Sequence, residues 1–258
     1  MAEGEMKAIT LQGIEVPYVR KGSGAPLLML HGGGGPVAAM PFADRLAEKF
    51  DIIAPTHPGF AGTGIPDHFT RIDDLVFLYL DLMDALDLKD AALMGFSMGG
   101  WTAAELATMN NTRLSRLILV DSVGVKVGGR EDRDIADVFA LPHEKLAELA
   151  FHDPSMAPDP KDIPDEQLHV IASNRVALGL YTWEPYMHNP KLPHRLHRIK
   201  VPTHFIWGVS DGIVTVDYGR KFCAMIDGAT MTVIEKAGHA PQMEQPDAFV
   251  EAVFALAD

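Results

Sequence analysis

The sequence has a single cysteine, Cys223, among 258 residues, so no disulfide can form within the chain. No apolar run approaches the roughly 18 to 20 residues that span a bilayer, and Met1 to Thr10 lacks the apolar core of a signal peptide. Basic residues are few, with 22 Lys and Arg against 35 Asp and Glu and a formal charge of −13. Such a charge disfavours nucleic acid and anionic lipid as partners. We therefore expect a cytoplasmic protein with neither a nucleic-acid nor a membrane partner.

Short apolar runs alternate with amphipathic segments along most of the chain. Continuous runs of this kind are typical of strands buried on both faces of a parallel sheet. We predict strands at residues 27–30, 52–54, 91–94, 117–120, 204–207 and 231–234. We predict helices at residues 40–50, 73–86, 99–109, 217–226 and 241–256, and a β-hairpin over residues 7–20. The alternation indicates an α/β fold with a doubly wound, mostly parallel sheet flanked by helices.

Residues 125–195 break this alternation. The segment contains no plausible buried strand, several short helical pieces and many prolines. It is too long for a simple loop between two core strands. We expect it to form a helical cap, or lid, above the strand ends, where open α/β sheets place their ligands. The predicted core is then residues 1–124 with residues 196–258.

The strongest chemical signal is the pentapeptide from Gly95 to Gly99, which has the pattern G-x-S-x-G with Ser97 at its centre. It follows a predicted strand and precedes a predicted helix, which is the context of a nucleophile elbow. The two glycines are needed because a nucleophile on a strained turn leaves no room for neighbouring Cβ atoms. We predict that Ser97 is the nucleophile, with an ordinary strand-to-helix turn as the alternative.

A serine hydroxyl needs a base to accept its proton, and the base needs a partner that orients it. His239 follows the last predicted strand, in a loop of small residues, and is the best-placed histidine. Asp211 follows the strand at residues 204–207, and the order Ser97, Asp211, His239 matches that of this architecture. Asp121, directly after the strand at residues 117–120, is the alternative acid. We predict Asp211 as the third member, and a loop or hinge contact for Asp121.

Acyl transfer also needs hydrogen-bond donors aimed at the developing oxyanion. The glycine run from His31 to Pro36 exposes backbone N–H groups after a predicted strand. We predict that Gly33, or Gly34, forms the oxyanion hole with the N–H of Met98. Phosphate binding is the competing interpretation, but the run has neither the lysine of a P-loop nor the third glycine of a dinucleotide fingerprint.

Together these motifs resemble the α/β-hydrolase superfamily, in its serine-nucleophile branch of esterases and carbon–carbon bond hydrolases. The resemblance extends from about Ile9 to Ala257. It implies an eight-stranded, mostly parallel sheet, a lid inserted after the sixth strand, and acyl-enzyme chemistry without a cofactor. It rests on the runs His31 to Pro36, Thr56 to Gly59 and Gly95 to Gly100, with Asp211 and Gly238-His239.

Within this superfamily, the glycine run is similar to that of carbon–carbon bond hydrolases from aromatic ring-cleavage pathways. Those enzymes commonly have Asn before the serine and Trp after the histidine, where this chain has Phe96 and Ala240. From an apolar cap and an exposed nucleophile, we predict a carboxylesterase-like enzyme that cleaves an ester of a small or medium acid. The alternatives are a carbon–carbon bond hydrolase of a vinylogous diketone, a lactonase, and a non-enzymatic ligand receptor on the same fold.

Several other residues have two interpretations. Phe96, Tyr181 and Trp183 are tentative substrate contacts, and packing is the alternative for each. His57 is interpreted as turn structure, with a place in the pocket lining as the alternative. His194 and His197 have a spacing compatible with metal binding but no ligand cluster beside them, so we predict no metal site.

Overall fold

The computed structural model describes residues 4–37 and 39–256. Eight strands form one sheet in the spatial order β1-β2-β4-β3-β5-β6-β7-β8. The first two strands form the predicted antiparallel hairpin, β2 pairs antiparallel with β4, and the remaining neighbours are parallel. This confirms the predicted α/β fold with an eight-stranded, mostly parallel sheet. The strands are β1 (Glu5–Leu11), β2 (Ile14–Lys21), β3 (Ala25–Leu30), β4 (Phe50–Pro55), β5 (Ala91–Phe96), β6 (Leu114–Val120), β7 (Thr203–Gly208) and β8 (Thr230–Ile234).

Helices cover both faces of the sheet because successive strand residues point to opposite sides. Leu28, Leu93 and Leu119 face a core completed by residues of the second, third and sixth helices. Met29 and Ile118 face a core completed by the first and last helices. The helices are α1 (Pro41–Leu46), α2 (Ile72–Ala85), α3 (Met98–Met109), α4 (His143–Ala150), α5 (Asp165–Thr182), α6 (Val216–Cys223), α7 (Pro241–Glu244) and α8 (Pro246–Phe254).

Three helices differ from the prediction by more than one residue, and the helix expected over residues 217–226 already ends at Cys223. The helix expected over residues 40–50 ends at Leu46, and β4 begins at Phe50. The helix expected over residues 241–256 divides into α7 and α8 at Gln245. Gln245 precedes Pro246 and has φ −134° and ψ 61°, because the proline ring disfavours the helical conformation of the residue before it.

Residues 121–202, here called the insert, lie between β6 and β7 and hold α4 and α5. Every residue of the insert is described, and it contains one isolated bridge, Gly124 with His188, but no strand. Its longest helix, α5, packs across two loops at the sheet edge, where the Tyr181 hydroxyl donates to the Pro58 carbonyl at 3.1 Å. Across residues 4–37 and 39–256, no helix has the length and apolarity that a membrane crossing requires.

Replacement of Phe249 in α8 tests the packing of the core that the first and last helices complete. The side chain of Phe249 is fully buried and makes an edge-to-face contact with Phe42, while also lying against Phe96. Phe249→Ala should lower the free energy of unfolding by about 3 to 5 kcal/mol, because it removes this ring and leaves a cavity. Phe77→Ala in α2 is the matched control, since 55% of Phe77 is exposed, and it should change the value by about 0.5 kcal/mol or less. Urea unfolding would measure both, and equal losses would contradict the packing described.

Candidate active site

Ser97 lies on a strained turn between β5 and α3. Its backbone has φ 49° and ψ −113°, a conformation that non-glycine residues rarely adopt. A Cβ atom at Gly95 would overlap the Gly99 carbonyl, and one at Gly99 would overlap the carbonyls of Leu30 and His31. The Ser97 N–H donates to the Val120 carbonyl at 2.9 Å, which ties the turn to β6. The crowding inferred from the sequence is thus present at both glycines.

The structure brings Ser97, His239 and Asp211 into one hydrogen-bonded chain. Ser97 Oγ is 3.0 Å from His239 Nε2, and His239 Nδ1 is 2.7 Å from Asp211 Oδ2. The Asp211 carboxylate is completely buried, whereas the imidazole is 18% exposed. Asp211 Oδ1 also accepts from the N–H groups of Ile213 at 2.8 Å and Val214 at 3.0 Å. This geometry lets the imidazole accept the hydroxyl proton while the carboxylate holds its other nitrogen.

The loops that carry Asp211 and His239 are both attached to the end of α4 in the insert. The Gly212 N–H donates to the Leu149 carbonyl at 2.8 Å, and the His239 N–H donates to the Ala150 carbonyl at 2.7 Å. A Cβ atom at Gly208 would overlap the Gly238 carbonyl, so the ends of β7 and β8 approach each other closely. The insert therefore supports the histidine and its acid. No pattern in the sequence of α4 predicts this role, because only backbone carbonyls are involved.

Asp121, the alternative acid, lies beside the Asp211–His239 pair. One polar atom each from Asp121, Asp211 and His239 lies within 4.8 Å of the others. Asp121 Oδ1 accepts from the Gly208 N–H at 3.0 Å, while the imidazole is hydrogen-bonded to Asp211. Burial, then the neighbouring Asp211, raises the pKa of Asp121 well above its usual value. In the described parts of the chain, these three are also the one cluster whose geometry would suit a metal, and His194 and His197 belong to none.

The glycine run predicted to supply oxyanion donors forms a turn next to Ser97. The Gly35 N–H donates to the Gly32 carbonyl at 3.1 Å, so Gly33 and Gly34 occupy the middle of the turn. A Cβ atom on Gly32 would lie 3.1 Å from Ser97 Cβ, which shows how closely the turn approaches Ser97. Met98 is the first residue of α3, so its N–H has no acceptor within the helix.

A pair of buried histidines supports this turn from below. The His57 N–H donates to His31 Nε2 at 3.0 Å, and His57 Nε2 donates to the His31 carbonyl at 2.8 Å. His57 Nδ1 accepts from the Tyr79 hydroxyl, and His31 Nδ1 donates to the Gly32 carbonyl at 2.8 Å. Every ring nitrogen therefore has a partner when both rings are neutral. Burial lowers the pKa of His57 to about 4 and that of His31 well below its usual value, and the second ring's charge adds to the effect at His31.

Asn174 of α5 also anchors the glycine turn, and our sequence analysis did not identify it. Its Nδ2 donates to the Gly34 carbonyl at 3.0 Å, and its Oδ1 accepts from the Ala61 N–H at 2.8 Å. Leu178, one helical turn further on, lies directly over Gly33. A lone asparagine within a predicted helical segment gives no signal of such a contact, which depends on how the insert folds back.

The three tentative substrate contacts occupy different environments. Phe96 is buried and packs against Phe42 and Phe249, so its ring belongs to the core. Tyr181 is buried, and its hydroxyl donates a hydrogen bond to the Pro58 carbonyl. Trp183 is 61% exposed and contacts Phe139 edge-to-face. These contacts match the packing alternative for Phe96 and Tyr181, while Trp183 lines a surface groove with Tyr181.

The role of Asp211 can be tested with an isosteric amide. Asp211→Asn should lower the rate of Ser97 acylation by about 10³- to 10⁴-fold, because an amide can stabilise the wrong imidazole tautomer and cannot balance its charge. Labelling by a fluorophosphonate measures this rate. Asp217→Asn is the matched control, since this carboxylate is exposed on α6 and pairs with Arg220. An Asp211→Asn protein that labels as fast as the control would contradict the assignment.

The buried histidine pair makes stability depend on pH. Both pKa values are lower in the folded state than the usual value of 6.5, so the unfolded chain binds more protons below that pH. The free energy of unfolding should keep its full value above about pH 6.5 and fall as the pH decreases. Protonation of His57 alone should lower it by about 3 kcal/mol by pH 4. Urea unfolding from pH 4 to 8 measures this, and a His57→Gln variant should show a shallower acid loss. Parallel curves for the two proteins would refute the explanation.

Comparison with known proteins gives a family for the whole arrangement. Residues 27–252 match the model of the alpha/beta hydrolase family. The chain is 25% identical to the 2-hydroxy-6-oxo-6-(2'-aminophenyl)hexa-2,4-dienoic acid hydrolase of Metapseudomonas resinovorans, over 95% of this chain and 88% of that protein. It is 27% identical to 3-oxoadipate enol-lactonase 2 of Acinetobacter baylyi, over 81% of this chain and 79% of that protein.

Solved structures show the same fold. The crystal structure of a membrane phospholipase A superposes with a TM-score of 0.83 at 22% identity, over 99% of this chain and 86% of that chain. At this identity the likeness concerns the fold alone. The sheet order, the elbow and the family match agree with one another. The chain belongs to the alpha/beta hydrolase family.

Proposed function

We propose that this protein is a serine hydrolase that forms an acyl-enzyme at Ser97, with a carboxylic ester of a small or medium acid as its substrate. The observation that carries the proposal is the hydrogen-bonded chain from Ser97 Oγ through His239 to the Asp211 carboxylate. An unactivated serine hydroxyl is a poor nucleophile, and this chain supplies both the base and the group that orients it. Helix α3 begins directly after Ser97, so its positive end faces the developing negative charge.

In the first step, Ser97 Oγ attacks the carbonyl carbon of the ester while its proton moves to His239 Nε2. The carbonyl oxygen becomes an oxyanion, which the N–H groups of Met98 and Gly33 stabilise, and each such donor typically contributes about 10²- to 10³-fold in rate. Asp211 stabilises the imidazolium through its Nδ1–H. His239 then gives the proton to the departing alkoxide, the carbon–oxygen bond breaks, and the alcohol leaves.

In the second step, water attacks the acyl carbon and its proton moves to His239 Nε2. The second oxyanion uses the same two donors. When it collapses, the bond to Ser97 Oγ breaks, the serine recovers its proton from the imidazole, and the carboxylic acid is released. The 18% exposure of the imidazole is consistent with access for this water. This sequence of steps needs no cofactor.

The residues on either side of the catalytic groups favour the ester. The superfamily's carbon–carbon bond hydrolases commonly place Asn before the serine, whereas Phe96 here is a core residue between Phe42 and Phe249. They commonly place Trp after the histidine, and Ala240 offers no ring for a planar substrate. Hydrolysis of an ester requires only a nucleophile, a base and an oxyanion hole, and the proposal assigns all three to Ser97 and residues near it.

Hydrolysis of a carbon–carbon bond is the second candidate. The relative from Metapseudomonas resinovorans, matched over nearly the whole chain, is named as a hydrolase of a dienoic acid with an adjacent ketone. Sequence similarity thus supports this reaction as well as it supports ester hydrolysis. Both begin with the same hydroxyl and the same imidazole, and they differ in the leaving group. Because another relative is named as an enol-lactonase, a lactone, which is a cyclic ester, should be tested as a substrate too.

Replacement of Ser97 tests the shared chemistry. Ser97→Ala should abolish fluorophosphonate labelling and lower p-nitrophenyl acetate hydrolysis by about 10⁴-fold or more, because the nucleophile is lost. Ser173→Ala is the control and should keep wild-type activity, because this half-buried serine of α5 only donates to the Val170 carbonyl of its own helix. Peptide mapping by mass spectrometry should place the label on Ser97. Full esterase activity in the Ser97→Ala protein would disprove the proposal.

A substrate panel then separates the bond types. Turnover of p-nitrophenyl esters from acetate to octanoate, an enol-lactone and a ring-cleavage dienone would be compared by kcat/KM. The ester proposal expects the highest value for one of the esters, and a higher value for the dienone would replace it with the second candidate. Labelling of Ser97 without turnover of any substrate faster than about once per minute, combined with ligand-dependent thermal stabilisation, would indicate a receptor instead.

A further inference from the structure

One buried carboxyl group near Ser97 has no role in the proposed steps. Asp121 is 1% exposed and follows β6 directly, with its backbone N–H on the Ile206 carbonyl at 3.1 Å. Its Oδ1 accepts from the Gly208 N–H at 3.0 Å. Its Oδ2 is buried and accepts no hydrogen bond from any donor in the described parts of the chain. A buried carboxylate oxygen without a donor is costly, so this atom needs an explanation.

The second observation is the distance to Asp211. A carboxylate oxygen of Asp121, one of Asp211 and a ring nitrogen of His239 lie within 4.8 Å of one another. Two ionised carboxylates at that separation, both buried, repel each other strongly. Like charges that share such a site cannot both remain ionised at neutral pH, so one carboxyl group must keep its proton.

The hydrogen-bond partners decide which of the two keeps it. Asp211 accepts from His239 Nδ1 and from two backbone N–H groups, of Ile213 and Val214, all within 3.0 Å. Three donors stabilise the ionised form of Asp211. Asp121 has one donor, the N–H of Gly208. The proton therefore belongs on Asp121, and Oδ2 is the oxygen that has room for it.

The surroundings of Asp121 agree with this assignment. Burial is the largest cause that raises the pKa of Asp121, followed by the charge of Asp211, with Glu244 adding a smaller effect of the same sign. The Gly208 N–H acts in the opposite direction and does not outweigh them. The titratable groups that face Asp121 are thus the carboxyl groups of Asp211, in the loop after β7, and Glu244, at the end of α7, together with the imidazole of His239.

We propose that Asp121 is a positioning residue whose neutral carboxyl group donates a hydrogen bond from Oδ2 to the Asp211 carboxylate. The proposal rests on the proposed function, in which Asp211 orients His239. The donated hydrogen bond holds the Asp211 carboxylate in place opposite His239 Nδ1. It also keeps a single negative charge beside the imidazole. The Oδ1 contact links the end of β6 to Gly208, the last residue of β7, from which the Asp211 loop begins.

Two variants and a control test this role through the kinetics of fluorophosphonate labelling. Asp121→Asn retains an acceptor for the Gly208 N–H and supplies a permanent N–H donor for Asp211, so labelling should stay within about threefold of wild type. Asp121→Ala removes the donor, and the inactivation rate constant should fall by about 10- to 100-fold at an unchanged inhibitor constant. Ser122→Ala changes the neighbouring buried polar residue, which donates to Val123, and should keep the wild-type rate.

The pH dependence of labelling separates this role from a purely structural one. If Asp121 is neutral, Asp121→Asn leaves the midpoint of the acid limb where it is in wild type. If Asp121 were ionised, the same change would remove a charge close to His239 and move the midpoint down by more than about one pH unit. Asparagine also tolerates the left-handed backbone at this position, where φ is 41°, so the variant should fold. Thermal unfolding would verify folding for every variant.

Two results would overturn the proposal: a shifted acid limb in Asp121→Asn, or wild-type labelling kinetics in a folded Asp121→Ala protein. Failure of the proposed function is distinguishable from either. In that case the wild-type protein itself would not label at Ser97, or the Ser97→Ala protein would label equally well. Labelling of wild type that is lost in Ser97→Ala and slowed in Asp121→Ala is the expected pattern.

Discussion

The 3.0 Å contact between Ser97 Oγ and His239 Nε2 joins residues that are 142 positions apart, and the rest of the arrangement serves to maintain it. It depends on parallel strands that end at one edge of the sheet, so that the loops after β5, β7 and β8 meet. Glycine makes this approach possible where a Cβ atom would overlap a facing carbonyl, as at Gly99 and Gly208. A close-packed sheet edge thus converts distant sequence positions into neighbouring atoms.

The polar groups at this edge are arranged in two buried sets. Behind Ser97, Asp211 holds the imidazole, and Asp121 lies beside Asp211 with one oxygen on Gly208. Below the glycine turn, His31 and His57 are hydrogen-bonded to each other, and His31 is also hydrogen-bonded to the Gly32 carbonyl of the turn. Buried polar groups are stabilising only when each has a partner, so such networks also define one geometry for the loops that they connect.

The insert contributes to the site from the opposite side. The carbonyl groups at the end of α4 hold the backbone of the Asp211 and His239 loops, and Asn174 of α5 joins the glycine turn to Ala61. One segment of the chain thus holds both the loop of His239 and the glycine turn beside Ser97 in place.

The sequence by itself determined the sheet and the candidate catalytic residues. Continuous apolar runs mark strands buried on both faces, and the glycines at 95 and 99 mark a turn too crowded for larger residues. These are local signals. Only the tertiary structure decided which carboxylate accepts a hydrogen bond from His239, since Asp121 and Asp211 both follow strands that end at the same edge. The tertiary structure also decided that the ring of Phe96 lies in the core. Asn174 and the α4 carbonyls were invisible in the sequence because their contacts depend on how the insert folds back over the sheet.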